Sequence, residues 1–202
     1  MMALVLNEEQ VMLKESAAGF LADKASVAAL RELRDSSSEK GFSTEIWREM
    51  AEMGWAGIAI PEAFGGLGYG YIGLGLVLEQ MGRNLSASPL QSTVLVAATL
   101  ISELGNQAQK EALLPAIAAG DKLVSLALQE TAHHAPEQTT MTASQDGDTF
   151  VLNGDKILVL DANVADYFVV IARTAGTKGD ESGLSAFLVD AGTKGVRVTR
   201  RS

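Results

Sequence analysis

The chain contains no cysteine, and only 5% of its 202 residues are aromatic. Without cysteine it can form neither a disulfide, nor a thiol nucleophile, nor a thiolate-ligated zinc site. Basic residues are also few, with 16 Lys and Arg against 25 Asp and Glu, so the net charge is -9. Because nucleic acids and anionic membranes are bound through clustered cations, this charge balance argues against both as partners.

Long apolar runs are missing as well. The N-terminus lacks the basic stretch of a secretory signal, and the apolar run at residues 93–101 is too short to cross a bilayer. We therefore expect no targeting segment, no membrane span and a cytoplasmic protein. A hydrophobic content of 47% predicts an ordinary packed core.

Helical signals dominate residues 1–120. Asn7 and Asn106 are each followed three residues later by Gln, and Ser88-Pro89 combines an N-cap with a proline at the first helical position. The first helix is expected to continue to Leu33, and the last to be interrupted at Pro115. These patterns predict an N-terminal all-α domain over residues 1–120.

Short β-type runs separated by turn dipeptides follow from residue 121. Asp146-Gly147 and Asn153-Gly154 are typical hairpin turns. The spacing predicts an antiparallel, β-barrel-like domain of six or seven strands over residues 121–202. We expect this domain to be incomplete. The run Lys156–Leu160 is apolar on both faces and is expected to be one of these strands, and Val196–Thr199 another. The fold class is α+β.

A glycine-dense connector lies at residues 54–70, between two helical stretches. Its end, with Gly68, Gly70 and Gly73, matches the pattern G-x-G-x-x-G and precedes a helix. A dinucleotide site is nevertheless not predicted, because the glycines do not follow a strand directly and no acidic residue lies near the position that would hold a ribose.

Two other motifs carry little chemistry. His133 and His134 are adjacent and would point to opposite faces of a strand, so a loop or ligand-edge role is favoured over a metal site. The run Gly183–Phe187 resembles a nucleophile elbow but lacks its second glycine, which argues against a serine hydrolase.

Four motifs, taken in order, resemble the acyl-CoA dehydrogenase family, specifically its N-terminal helical domain and middle β-domain. The resemblance covers nearly the whole chain. The motifs are Ile-Pro-Glu-Ala-Phe-Gly-Gly-Leu-Gly (60–68), Leu-Leu-Pro-Ala-Ile-Ala-Ala-Gly-Asp (113–121), Ser-Leu-Ala-Leu-Gln-Glu (125–130) and Asn-Gly-Asp-Lys-Ile-Leu-Val-Leu (153–160).

This resemblance implies an FAD-dependent oxidoreductase of fatty acid or lipid catabolism that desaturates an acyl-CoA thioester. A carboxylate would remove the α-proton and flavin N5 would take the β-hydride. It also implies electron-transfer flavoprotein or a similar acceptor, and a homo- or hetero-oligomer of homologous subunits. The implied cofactor-binding residues are Leu126, Leu128, Gln129, Glu130, Leu158 and Leu160. The implied substrate-binding residues are Leu90, Val94 and Pro136, and no metal is expected.

The chain departs from the family pattern at the flavin. Leu158-Val159-Leu160 stands where the family has Trp-Ile-Thr, which removes a stacking wall and a hydroxyl that would bond to flavin. The family's catalytic glutamate is expected beyond Ser202, so none of Glu62, Glu79 and Glu130 is assigned as the base. An alternative function is therefore a non-catalytic or flavin-poor partner subunit of a heteromeric acyl-CoA dehydrogenase.

Overall fold

A computed structural model describes residues 5–200 of the chain. The chain divides between Lys122 and Leu123 into two compact units, an N-terminal helical unit and a C-terminal β unit. Helices followed by a sheet confirm the predicted α+β class.

The helical unit contains six α-helices and one π-helical segment among the described residues. The helices are α1 (Glu8–Lys24), α2 (Val27–Asp35), α3 (Thr44–Glu52), α4 (Gly70–Asn84), α5 (Thr99–Leu104) and α6 (Gln107–Ala118), and the π-helix is Leu90–Ala98. Asn7 and Asn106 form the predicted capping boxes, each accepting from the backbone N–H three residues later. No described helix is long and apolar enough to cross a membrane.

Two helix expectations were wrong. The first helix does not continue to Leu33, because the chain leaves helical geometry at Ala25 and restarts at Ser26, which is the N-cap of α2. Pro115 does not interrupt α6, since it lies inside the helix with one missing backbone donor. Core packing explains why α6 continues through Pro115. Leu114 and Ile117, on either side of the proline, are fully buried and hold this turn of the helix in place.

The β unit is an open, mixed sheet. Its strands are β1 (Val124–Ala127), β2 (Thr142–Asp146), β3 (Thr149–Asn153), β4 (Tyr167–Arg173) and β5 (Leu184–Asp190). Strand β4 is central, parallel to β1 with Val124 opposite Tyr167, and antiparallel to β5. The predicted hairpin of β2 and β3 is present, and β2 meets the end of β4 in parallel.

The predicted antiparallel, barrel-like domain was therefore wrong in two respects. The sheet contains parallel pairs, and β3 and β5 each pair with a single strand, so in the described residues the sheet does not close into a barrel. Five strands are present in residues 5–200, and neither Lys156–Leu160 nor Val196–Thr199 is one of them. In the segment Lys156–Leu160, separate contacts instead hold Lys156, Ile157 and Val159.

A small apolar cluster forms one face of the sheet. Ala127, Phe168 and Val170 are buried at its centre, and Val159 packs against them from the irregular segment after β3. The side chains on either side of Val159, Leu158 and Leu160, are exposed.

Candidate functional site

The glycine-rich connector of the helical unit folds back on itself. The N–H groups of Leu67, Gly68 and Tyr69 donate to the carbonyls of Gly57, Ile60 and Ile58, each at 2.9 Å. A Cβ added to Gly66 would lie 2.1 Å from the Ile60 carbonyl oxygen, closer than any real contact. The glycines therefore permit close backbone packing, and a nucleotide-binding role is not needed to explain them.

The centre of the β unit's candidate site is a buried ion pair. Lys156 Nζ lies 2.7 Å from Glu130 Oε1, and the two side chains are only 6% and 12% exposed. Glu130 also accepts from the N–H and hydroxyl of Thr140, at 2.7 and 2.6 Å, and from the N–H of Met141 at 3.0 Å. Lys156 donates in addition to the Leu128 carbonyl. Four hydrogen bonds thus saturate one carboxylate.

These bonds determine the acidity of Glu130. Burial raises the pKa of the carboxyl group, but the hydrogen bonds from Lys156, Thr140 and Met141 lower it by more. The net result is a fall in the pKa from 4.5 to about 2. The group is consequently a fixed anion at neutral pH. It ties together residues 128–130, 140–141 and 156, which are separate in sequence.

Leu158 and Leu160 lie on a rigid turn next to this pair. The Ile157 N–H donates to the Gln129 carbonyl at 2.8 Å, and Val159 packs into the apolar cluster. The side chains on either side of Val159 point outward: Leu158 is 70% exposed and Leu160 is 57% exposed. Leu158 has a φ of 54°, a left-handed conformation that costs an ordinary residue about 1–2 kcal/mol.

The other implied cofactor residues lie on or just after β1. Leu126 is within the strand, and Leu128, Gln129 and Glu130 follow it, all partly buried. The Gln129 amide is 2.8 Å from His134 Nδ1, so the exposed 131–134 loop is held near the strand end. The structure thus brings residues 128–130 and 156–157 into direct contact. Whether the six implied residues bind a cofactor stays a prediction. The described residues contain no cluster of three or more potential metal ligands.

The implied substrate residues are divided between the two units. Leu90 and Val94 belong to the π-helix and are fully buried, while Pro136 begins a short 3-10 turn (Pro136–Gln138) in the β unit. Val94 lines a small recess with a cavity volume of about 10 Å³. Pockets for drug-sized ligands measure about 300–1,000 Å³, so this recess is too small for an extended acyl group. The role of all three residues stays a prediction.

None of the three glutamates weighed from the sequence has the properties of a general base. Lys14 bonds to Glu79 and holds the pKa of that carboxyl group below its ordinary value. The hydrogen bonds to Glu130 likewise lower the pKa of its carboxyl group. A base that works near neutral pH needs the opposite shift. Glu62 lies exposed on the short 3-10 turn Glu62–Phe64.

Sequence reasoning missed the partners of Glu130. The sequence predicts a strand at Lys156–Leu160, and it contains no sign that Thr140, Met141 or Lys156 contacts Glu130. The available signal was Lys156 itself, a charged residue at the start of an apolar run, since a buried charge requires a counter-ion.

A helical unit with this connector, followed by an open mixed sheet with a glutamate anchored after its first strand, defines the N-terminal and middle portions of an acyl-CoA dehydrogenase fold. Comparison with known families agrees. Residues 7–121 match the acyl-CoA dehydrogenase N-terminal domain, and residues 129–202 match the acyl-CoA dehydrogenase middle domain. The chain belongs to the acyl-CoA dehydrogenase family.

Similar proteins include catalytic and multi-chain members. Mitochondrial isovaleryl-CoA dehydrogenase of Pongo abelii is 32% identical over 97% of this chain and 47% of its own length. A variant of the Tcur3481-Tcur3483 steroid ACAD is 35% identical, with a TM-score of 0.82 over 93% of this chain and 49% of that one. The ChsE4-ChsE5 complex from Mycobacterium tuberculosis is 28% identical, with a TM-score of 0.82 over 98% and 51%. The chain thus spans about half the length of the relatives it matches.

Few side-chain hydrogen-bonding groups at this site are open to the implied FAD. The flavin ring presents nitrogens and oxygens that need positioned hydrogen-bonding groups. Here Glu130 is saturated, the Gln129 amide bonds to His134, and the Leu128 and Gln129 carbonyls accept from Lys156 and Ile157. Leu158 and Leu160 offer only hydrocarbon. Among the six implied side chains, all within residues 5–200, the Gln129 amide alone keeps hydrogen-bonding capacity, because its one contact to His134 leaves its oxygen and a second N–H open.

Proposed function

We propose that this chain is a partner subunit of a heteromeric acyl-CoA dehydrogenase, and that it contributes an apolar protein contact where the family resemblance implies a flavin-binding surface. The observation that carries the proposal is the outward position of Leu158 and Leu160 on a segment that contacts of Lys156, Ile157 and Val159 hold in place. Two similar proteins of known structure, the Tcur3481-Tcur3483 steroid ACAD variant and the ChsE4-ChsE5 complex, are each named for a pair of proteins, which is consistent with a heteromeric assembly.

Rigidity is the reason to favour a protein contact. A mobile loop with two exposed leucines would lose conformational entropy on binding, whereas this turn is already fixed by Lys156, Ile157 and Val159. Its left-handed Leu158 retains strain that no burial of its own side chain offsets. Each leucine, on full burial against a partner, would contribute about 1.5–3 kcal/mol.

The reaction would then belong to the assembly. The partner would supply the flavin and the base that removes the α-proton of an acyl-CoA thioester. This chain would supply the apolar contact and the restrained 128–141 segment beside it.

Co-expression with homologous acyl-CoA dehydrogenase subunits from the same organism tests the proposal. We expect a stable complex whose flavin content is below one per subunit, and no flavin absorbance in this chain purified alone. Leu160→Asp should abolish co-purification, because a charge would be buried without a partner. Val151→Asp is the matched control, since Val151 is 54% exposed in the same unit.

Two results would contradict the proposal. The first is a yellow, homo-oligomeric preparation of this chain that acyl-CoA reduces, which would instead support an FAD-dependent acyl-CoA dehydrogenase. The second is co-purification that Leu160→Asp and Val151→Asp weaken equally, because the contact would then not involve the turn.

A further inference from the structure

Arg173, the last residue of β4, is a buried cation that the proposed function does not use. The residue is only 7% exposed, and its backbone N–H donates to the Met141 carbonyl at 2.8 Å. Its position at the end of a central strand turns the side chain towards two irregular segments, residues 135–139 and 174–183.

Among the described residues, every hydrogen bond given for the guanidinium group of Arg173 has a backbone carbonyl as its acceptor. A guanidinium has five N–H donors in a fixed plane, and here there are five acceptors. The distances are 3.0 Å from Nε to Thr139 O, 3.4 and 3.0 Å from Nη1 to Ala175 O and Ser182 O, and 2.8 and 3.2 Å from Nη2 to Glu137 O and Asp180 O.

A ring of carbonyl oxygens around a positive charge is the arrangement by which proteins coordinate hard cations. In this unit the charge is supplied by the chain itself, and the converging dipoles offset the cost of burying it. One acceptor also couples the two segments directly, because the Glu137 carbonyl receives both Arg173 Nη2 and the N–H of Gly179, at 2.8 and 2.9 Å.

We propose that Arg173 is a positioning residue whose guanidinium acts as a built-in cation, and that removing its side chain leaves a five-carbonyl binding site for free guanidinium. The residue fixes the 135–139 segment, which carries Pro136, against the 174–183 segment. This inference concerns the β unit alone and does not depend on the proposed function.

Hydrogen exchange of the full chain, followed by mass spectrometry, tests the inference. Arg173→Ala should accelerate exchange at least about tenfold in peptides that contain Thr139 and Gly179, because these amides lie in the segments that the guanidinium joins. Peptides of the β2–β3 hairpin and of the helical unit should be unchanged. Guanidinium chloride at about 20 mM, far below the molar concentrations that unfold proteins, should restore protection. Arg197→Ala, at an exposed arginine of the same unit, is the control.

Tetramethylammonium chloride distinguishes binding from ionic strength, because that cation has no N–H donor and should not restore protection. Equal rescue by both salts would overturn the proposal, as would unchanged exchange in Arg173→Ala. If Arg173→Ala does not fold, Arg173→Lys decides the question, since an ammonium group has three donors. Faster exchange confined to the two segments supports the inference, whereas a uniform increase across the β unit overturns it.

Discussion

The ion pair of Glu130 and Lys156 predicts a specific dependence of stability on pH. The pKa of Glu130 is about 2 in the folded chain, against 4.5 for an ordinary glutamate. At 1.36 kcal/mol per pH unit, this difference contributes about 3 kcal/mol to the free energy of unfolding. Because the folded pKa is the lower one, the contribution is complete above pH 4.5 and is lost as the pH falls towards 2.

Glu130→Gln is the perturbation that isolates this term. At neutral pH the variant leaves the buried Lys156 ammonium without its anion, which typically costs about 3–5 kcal/mol. The glutamine does not titrate, so the difference in free energy of unfolding between wild type and variant should shrink as the pH falls. The linkage relation for pKa values of 4.5 and about 2 gives a decrease of about 2 kcal/mol between pH 7 and pH 3.

Urea unfolding at pH 7, 5, 4 and 3 measures this decrease. Other carboxyl groups titrate in the same range, but they are common to both proteins and cancel in the difference. Glu181→Gln, at an exposed glutamate of the β unit, should differ from wild type by the same small amount at every pH. A difference between wild type and Glu130→Gln that stays constant from pH 7 to pH 3 would refute the argument.

Two further predictions concern packing. Gly66→Ala should unfold the helical unit or destabilise it by more than about 3 kcal/mol, because its Cβ would meet the Ile60 carbonyl; Gly75→Ala, in an open position of α4, should stabilise by about 0.5–1 kcal/mol. Thermal melts of both variants check this, and equal effects would contradict it. Ser125→Ala should stabilise the β unit by about 1 kcal/mol in urea, because the buried hydroxyl has no hydrogen-bond partner among the described residues; a loss of stability would reveal a partner.

The sequence predicted what depends on neighbouring residues. The capping boxes at Asn7 and Asn106 and the β2–β3 hairpin each need only a few consecutive side chains and a turn, so their residue types identify them. The family followed from the order of four motifs.

Sequence reasoning failed where distant residues determine the structure. Parallel pairing of Val124 with Tyr167 joins segments 43 positions apart and has no turn signature, so the antiparallel expectation prevailed. The apolar run at residues 156–160 has the composition of a strand. Instead, Lys156 bonds to a carboxylate 26 residues earlier, and Leu158 takes a left-handed conformation that breaks extended geometry.

The same long-range contact connects the stability of the β unit to the proposed assembly. Glu130 holds Lys156, and Lys156 begins the turn that presents Leu158 and Leu160. If the leucines bind a partner as preorganised side chains, loosening the ion pair should weaken the complex even though neither charged group is exposed enough to touch the partner. Leu160→Asp should therefore abolish binding without lowering stability, whereas Glu130→Gln should lower both. If a destabilised Glu130→Gln chain bound the partner with full affinity, stability and binding would be independent of each other. The rigidity of the turn would then have no part in recognition.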